Sequence, residues 1–489
     1  MLGVFEATTA NSILNDVDEI FSLRDQKAHS AMQAVADVVS RRRPLNGLEN
    51  GFLDTWRWIN SNVESSTGIY RDPRFYHWSQ LAFSLLGSHL GTAELTPSVE
   101  RYIRAIGGTN VSNALAIHLE QFKAFALGAA WEIDTSLEFE LPLLVRLPWA
   151  MPGSPWSLGG TDGCAIRGIE GRNRLLVSTP RGDHALPFLD DGNHSSDAVT
   201  LCLAPQIKFE SGCLTLQPHA VNLPGLDELN SISSIGTSYQ WQELSNLQRT
   251  LESMSRIAPQ TFNAFAKQMR NVILKPEVEG SVYNTSCSRL TGLAIVTSYR
   301  SPLVLAEDLI HEFCHNYLFA LEDQGPLFED GEFDAVHDEC FYSPWRKDSR
   351  PLYGLFHAYV VFTQVADFWN AALCRSDISS PDREFGECRL ATLVKQLAVT
   401  GDQISRFARL TELGQKTFDA ISNQLRQLEI SAQQVGASLD CRSIEPLFDG
   451  SYKTSLDANG DSISVRDSLK RHIALYDCLQ RCANMQAIF

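Results

Sequence analysis

Residues 303–323 read LVLAEDLIHEFCHNYLFALED, and the fold around them follows from how this stretch is read. Apolar residues recur every three or four positions, the spacing of a helix, which the chain enters through Ser301-Pro302. Inside it stands His311-Glu312-Phe313-Cys314-His315. Residues four apart lie above one another on a helix face, so both rings can reach one ion. Glu312 lies about 100° round the helix, where it can act as a general base or hold another group in place. With 12 His in 489 residues, chance would produce this pattern roughly 0.02 times. Leu309, Ile310, Phe313, Leu318 and Phe319 suit a buried helix better than a surface one carrying two solvated histidines.

A catalytic metal needs a third protein ligand and open positions for water or substrate. The metzincin pattern is excluded, because Leu318 and Leu321 stand where its glycine and third histidine belong. Glu332 and Glu339 are candidates, the second within His337-Asp338-Glu339, and either would suit a zinc peptidase. The other candidate is His357, in the almost wholly apolar helical segment LYGLFHAYVVFTQVADFW (352–369). Between these candidates lie Arg346 and Arg350, whose planar guanidinium forks match a carboxylate bidentately.

Three stretches, LAEDLIHEFCH (305–315), SPWRKDSRP (343–351) and GLFHAYVVF (354–362), together resemble the HExxH-motif family of peptide-modification proteins. Its members act as iron(II)- and 2-oxoglutarate-dependent peptide β-hydroxylases in natural-product biosynthesis. The resemblance covers about residues 273–369; the HExxH is shared with zinc peptidases, and the SPWR…RP…H arrangement is its specific part. It implies His311, His315 and His357 as iron ligands and Arg346 or Arg350 as the partner of the 2-oxoglutarate C5 carboxylate. It leaves open which arginine serves and whether Glu312 is catalytic or orienting. The expected reaction is hydroxylation of an unactivated C–H, most naturally a peptide side-chain β-carbon, with O2 consumed and succinate and CO2 released. Phe313, Trp345 and Phe356 are the expected apolar walls. The alternative is a zinc metallopeptidase with Glu312 as general base. Cys314 is an oxidisable thiol on the motif itself.

Outward from this centre the chain divides into four regions. Residues 1–130 are helical by spacing, with Arg41-Arg42-Arg43-Pro44 reading as a solvated helix end. Residues 131–235 carry short apolar runs separated by Gly, Pro and Asp, a β-rich insert. Residues 236–375 hold the HExxH catalytic region, and 376–489 are helical again. The expected class is α+β, mostly helical, with a β-rich insert and an HExxH metal-binding helix.

The net charge of −17 argues against nucleic acid as a partner and leaves a peptide or small molecule open. Eleven scattered cysteines without a CxxC predict thiols in a reducing compartment. The first residues lack the basic and apolar runs of a signal peptide, and no stretch reaches about 18 apolar residues. A cytoplasmic protein with no membrane span is expected.

Overall fold

The computed structural model describes residues 13–42, 45, 47, 49–62, 69–143, 149–160, 164–188, 194–195, 199–210, 212–217, 241–275, 284–298, 300–329, 341–345 and 349–436. Among these, 61% are helical and about 18% lie in strands of several small sheets. The fold is α+β and mostly helical, as the sequence indicates.

The N-terminal part is built from helices α1 (Val17–Arg42), α2 (Asn50–Asn62), α3 (Pro73–His89), α4 (Pro97–Ala105), α5 (Val111–Glu120) and α6 (Lys123–Glu132). On α1 the buried positions Ile20, Phe21, Ala28, Met32, Val35 and Val39 follow helical spacing, and Arg41 and Arg42 close its last turn in solvent. Phe52, Phe75, Trp78 and Phe122 form an aromatic centre among these helices. Within it His118 stacks on Trp78 at 4.3 Å. Its Nε2 lies 3.0 Å from the Trp78 carbonyl and its Nδ1 2.5 Å from the Tyr102 hydroxyl. Burial holds its pKa down at about 3, so the ring is neutral, donating to Trp78 and accepting from Tyr102.

The β-rich insert forms two antiparallel four-stranded sheets. One has the order β1 (Ser136–Pro142), β4 (Ala165–Glu170), β5 (Arg174–Thr179), β6 (Gly182–Pro187). The other is β2 (Trp149–Ala150), β3 (Trp156–Gly160), β8 (Val199–Leu203), β7 (His194–Ser195). Inward-facing Ile166, Ile169, Leu175, Val177 and Leu201 pack with Leu127 and Ala130 of α6. A buried ion pair fastens the insert to the helices. Asp72, the N-cap of α3, takes the Arg74 guanidinium at 2.6 Å and the Gly153 N–H at 2.7 Å. Arg74 in turn donates to the carbonyls of Ala150 and Met151. Burial works to raise the Asp72 carboxyl, but Arg74 and the backbone donors outweigh it and hold it low.

The remaining strands of the β-rich segment, β9 (Gln206–Phe209) and β10 (Gly212–Leu216), join a different sheet. There β10 runs parallel to β11 (Asn271–Lys275), and β11 parallel to β12 (Leu293–Thr297). Helices α7 (Trp241–Ile257) and α8 (Pro259–Gln268) precede β11. All five residues of β12 are buried, as expected for the continuous apolar run LAIVT in a parallel sheet. Helix α9 (Pro302–Glu322) follows β12 and packs on it, and the hairpin β13 (Phe341–Tyr342)–β14 (Ser349–Arg350) leads into α10 (Leu352–Leu373). Helices α11 (Ser380–Phe407) and α12 (Glu412–Gly436) complete this core against α10. Among the described residues no helix is long and apolar enough to cross a membrane. Cys164, Cys202, Cys213, Cys287, Cys314, Cys374 and Cys388 are all thiols.

Helix and insert approach closely at Gly128 of α6, where a Cβ would lie 1.7 Å from the Pro152 carbonyl oxygen. Neither backbone can yield cheaply. Gly128→Ala is expected to lower unfolding stability by about 1–3 kcal/mol or more in denaturant titration. An unchanged midpoint would mean that the insert does not dock as described.

Candidate metal centre

The site begins with the anchoring of α9. Ser301 caps its N-terminus and Pro302 takes the first helical position. Asn316, fully buried, accepts from the Gly292 N–H at 2.6 Å and donates to the carbonyls of Leu293 and Glu312. That ties one face of the helix to the start of β12. The adjacent acids Glu307 and Asp308 are both buried and both paired. Asp308 meets Arg300 at 2.6 Å, and burial still pushes its pKa up to about 7. Glu307 accepts from the Trp369 indole N–H at 2.6 Å and from Arg389 Nε at 3.0 Å. It is thereby clamped to α10 and α11 together.

From that clamp α9 and α10 run antiparallel in one register of contacts. Glu307 meets Trp369; His311 meets Phe362, with ring centres 4.9 Å apart; His315 meets His357; and Glu322 meets Tyr353. The helix period thus brings all three sequence-identified histidines together. His315 Nε2 is 3.2 Å from His311 Nε2, and His315 Nδ1 is 3.3 Å from His357 Nδ1. Burial, then the neighbouring His311 and His357, keep the His315 pKa well below that of an ordinary histidine. Its ring is therefore the neutral imidazole that binds metals.

The donor chemistry and spacing suit a metal. Ligand bonds of about 2.0–2.1 Å place neighbouring donor atoms about 2.8–3.0 Å apart in octahedral and about 3.3–3.4 Å apart in tetrahedral geometry. The ring orientations suit it less. His315 faces His311 with one nitrogen and His357 with the other, so the three rings do not aim at one point. Among the described residues no group of three or more His, Cys, Asp or Glu side chains forms a ready cage. For one ion to be held by all three, these rings would have to turn about their side-chain torsions.

Two residues that the sequence reading missed support His357. Glu322 Oε1 lies 3.3 Å from His357 Nε2, and the Tyr353 hydroxyl donates to Glu322 Oε2 at 3.0 Å. A carboxylate on one ring nitrogen fixes the tautomer and leaves the other as a donor to metal. The signal was present as spacing: Glu322 is two helical turns beyond His315, and Tyr353 one turn before His357.

Glu312 faces elsewhere. It is buried, its side chain bonds with Ser286, and its Oε2 has no partner among the described residues. Burial first, and Asp308 further, raise its pKa to about 8 despite the Ser286 bond. Cys314 is buried in the apolar core, and burial raises its thiol pKa, so it is held as the unreactive protonated form.

The expected walls are only partly right. Phe313 packs on Phe265 and Phe356 on Phe328, both within the core. Trp345 does approach, lying flat on Phe362 at 4.7 Å, and Phe362 in turn touches His311. Phe319 and Tyr353 flank His357 on the other side. Arg350 sits half-buried in β14, two residues before α10. Arg346, Glu332 and Glu339 lie outside the described residues.

Glu322→Leu is expected to weaken metal binding by about ten- to a hundredfold in a chelator-competition titration, with Glu322→Gln intermediate because the amide keeps one acceptor. Equal affinities in all three proteins would show that Glu322 does not orient His357.

No protein-family model matches this chain, and no curated protein matches it either.

Proposed function

We propose that the chain is a metal-dependent oxygenase in which His311, His315 and His357 hold iron(II). It hydroxylates an unactivated C–H of a peptide or small molecule with 2-oxoglutarate as co-substrate. The observation that carries the reading is the position of His357, whose ring lies against His315 on the facing helix. Three imidazole ligands leave up to three positions on an octahedral ion, as many as a bidentate 2-oxo acid and O2 need. The resemblance of the three stretches around 305–315, 343–351 and 354–362 supplies the choice of co-substrate.

Bound iron(II) would supply the redox chemistry that couples oxidation of the co-substrate to oxidation of the C–H bond. The balance is 2-oxoglutarate, O2 and R–H giving succinate, CO2 and R–OH. The protein's own residues position and shield. Glu322 and Tyr353 orient His357, while Glu307 and Asn316 fix the helix that carries His311 and His315. Phe319, Phe362 and Trp345 line the histidines with rings that keep water away. Arg350 or Arg346 is the co-substrate's carboxylate partner, the first lying next to α10. Glu312, bonded to Ser286, orients the helix rather than moving a proton.

The test is succinate formation from 2-oxoglutarate by iron-reconstituted protein. Wild type is expected to turn over, and His357→Ala to lose nearly all activity. Glu312→Gln should keep part of it, because the amide preserves the carboxylate's shape. Peptide-bond hydrolysis by the zinc form without O2 or 2-oxoglutarate, abolished in Glu312→Gln, would replace this reading with the peptidase one.

A further inference from the structure

Helix α9 closes on two adjacent acids, Glu322 as its last residue and Asp323 as its C-cap. Both stand at the negative end of the helix dipole, where a carboxylate is unfavourable and a cation belongs. Each is held by a different part of the molecule. Glu322 reaches His357 and Tyr353 of α10. Asp323 turns instead to the N-terminal helices. Its Oδ1 accepts from the Tyr76 hydroxyl of α3 at 2.6 Å, and its Oδ2 pairs with Arg24 of α1 at 2.7 Å. Lys27, one turn along α1, donates to the Asp323 backbone carbonyl at 3.0 Å and supplies the cation that this helix end lacks.

Arg24 is the centre of this contact. Its guanidinium lies over the Tyr76 ring, 3.7 Å from the ring centre, and donates to the Ser288 carbonyl at 2.7 Å. It stands where α1 passes from one core to the other. Ile20 and Phe21 before it pack with the helices of the metal centre, Ala28 and Met32 after it with the N-terminal bundle. The Arg24 and Asp323 side chains are only 4% and 18% exposed, so solvent screens their attraction far less than that of a surface pair. Removing either charge leaves the other buried without its partner. The Tyr76 hydroxyl can be removed without that cost, because the ring beneath Arg24 stays.

We propose that Asp323 is a positioning residue for the metal centre. Held by Arg24 and Tyr76, it fixes the last turn of α9 and so keeps the Glu322 carboxylate on His357 Nε2. The inference rests on the reading of His357 as a metal ligand. Helix ends fray where their last groups lack partners. A carboxylate carried on such an end orients a ring well only if its own backbone is fixed. Anchoring the neighbouring residue from outside the metal helices removes that freedom. Two acids at the unfavourable end of one helix then have a common purpose, one on the histidine and one on the anchor. The N-terminal bundle becomes part of what shapes the site.

The test is chelator competition for cobalt(II) by the full chain, with Tyr76→Phe and Asp323→Asn each made alone and together with Glu322→Leu. Each single variant is expected to bind cobalt about three- to tenfold more weakly, with circular dichroism unchanged in Tyr76→Phe. In the Glu322→Leu background neither change should cost more than about twofold, because Asp323 acts through Glu322. If Asp323→Asn does not fold, the Tyr76→Phe cycle decides alone. Wild-type affinity in Tyr76→Phe, or a loss equally large without Glu322, would overturn the inference while His357→Ala still abolished tight binding. Wild-type affinity in His357→Ala would overturn the metal-site reading and the inference with it.

Discussion

The Glu307 carboxylate, buried between the Trp369 indole and the Arg389 guanidinium, sets how α9 lies on α10 and α11. Every later contact between the two helices follows from that register, because they run antiparallel with matched periods. With Glu307 on Trp369, the helix period delivers His311 to Phe362, His315 to His357 and Glu322 to Tyr353. A slip of one residue would rotate the His311 and His315 face by about 100° and carry it off His357. Burying a carboxylate is costly unless it is paired and hydrogen-bonded. Glu307 meets that condition through Arg389 and Trp369, which gives the cost a use: only one register satisfies it.

The polar groups behind the helix act in the same direction. Asn316 reads the backbone at Gly292 and Leu293, and Asp308 reaches Arg300 just before the helix begins. Helix α9 is thus fixed at its start, along its back and towards its partner, while the half-buried His311, His315 and Phe319 face is left to the site. Such an arrangement anchors the helix through its buried face and leaves the histidine rings on the half-buried one.

Much of this was legible in the sequence, for identifiable reasons. Two histidines four apart in an apolar helical run can only share a face, so His311 and His315 required no tertiary information. His357 was legible as a histidine on an apolar helix, but its partner was not. The pairing of His315 with His357 depends on the register between helices, which Glu307, Trp369 and Arg389 decide across as many as 82 residues of sequence. Glu322 and Tyr353 were missed for the same cause: their spacings were visible, yet a glutamate at a helix end ordinarily reads as a solvated one. Phe313 and Phe356 were assigned to the site by proximity in sequence, although each points about 100° or more away from its neighbouring histidine. The β-rich segment was recognised from its short apolar runs. That its last hairpin, β9–β10, joins the sheet of β11 and β12 could not be read, because strand partners are chosen by non-local packing.

The central claim is that the register of α9 on α10 makes His311, His315 and His357 a single metal site. Cobalt(II) titration of the metal-free chain, followed by the visible spectrum, tests it most directly. Wild type should bind one equivalent with a spectrum of nitrogen ligation, and His357→Ala should lose that spectrum and bind at least about tenfold more weakly. One equivalent bound with the wild-type spectrum and affinity in His357→Ala would contradict it.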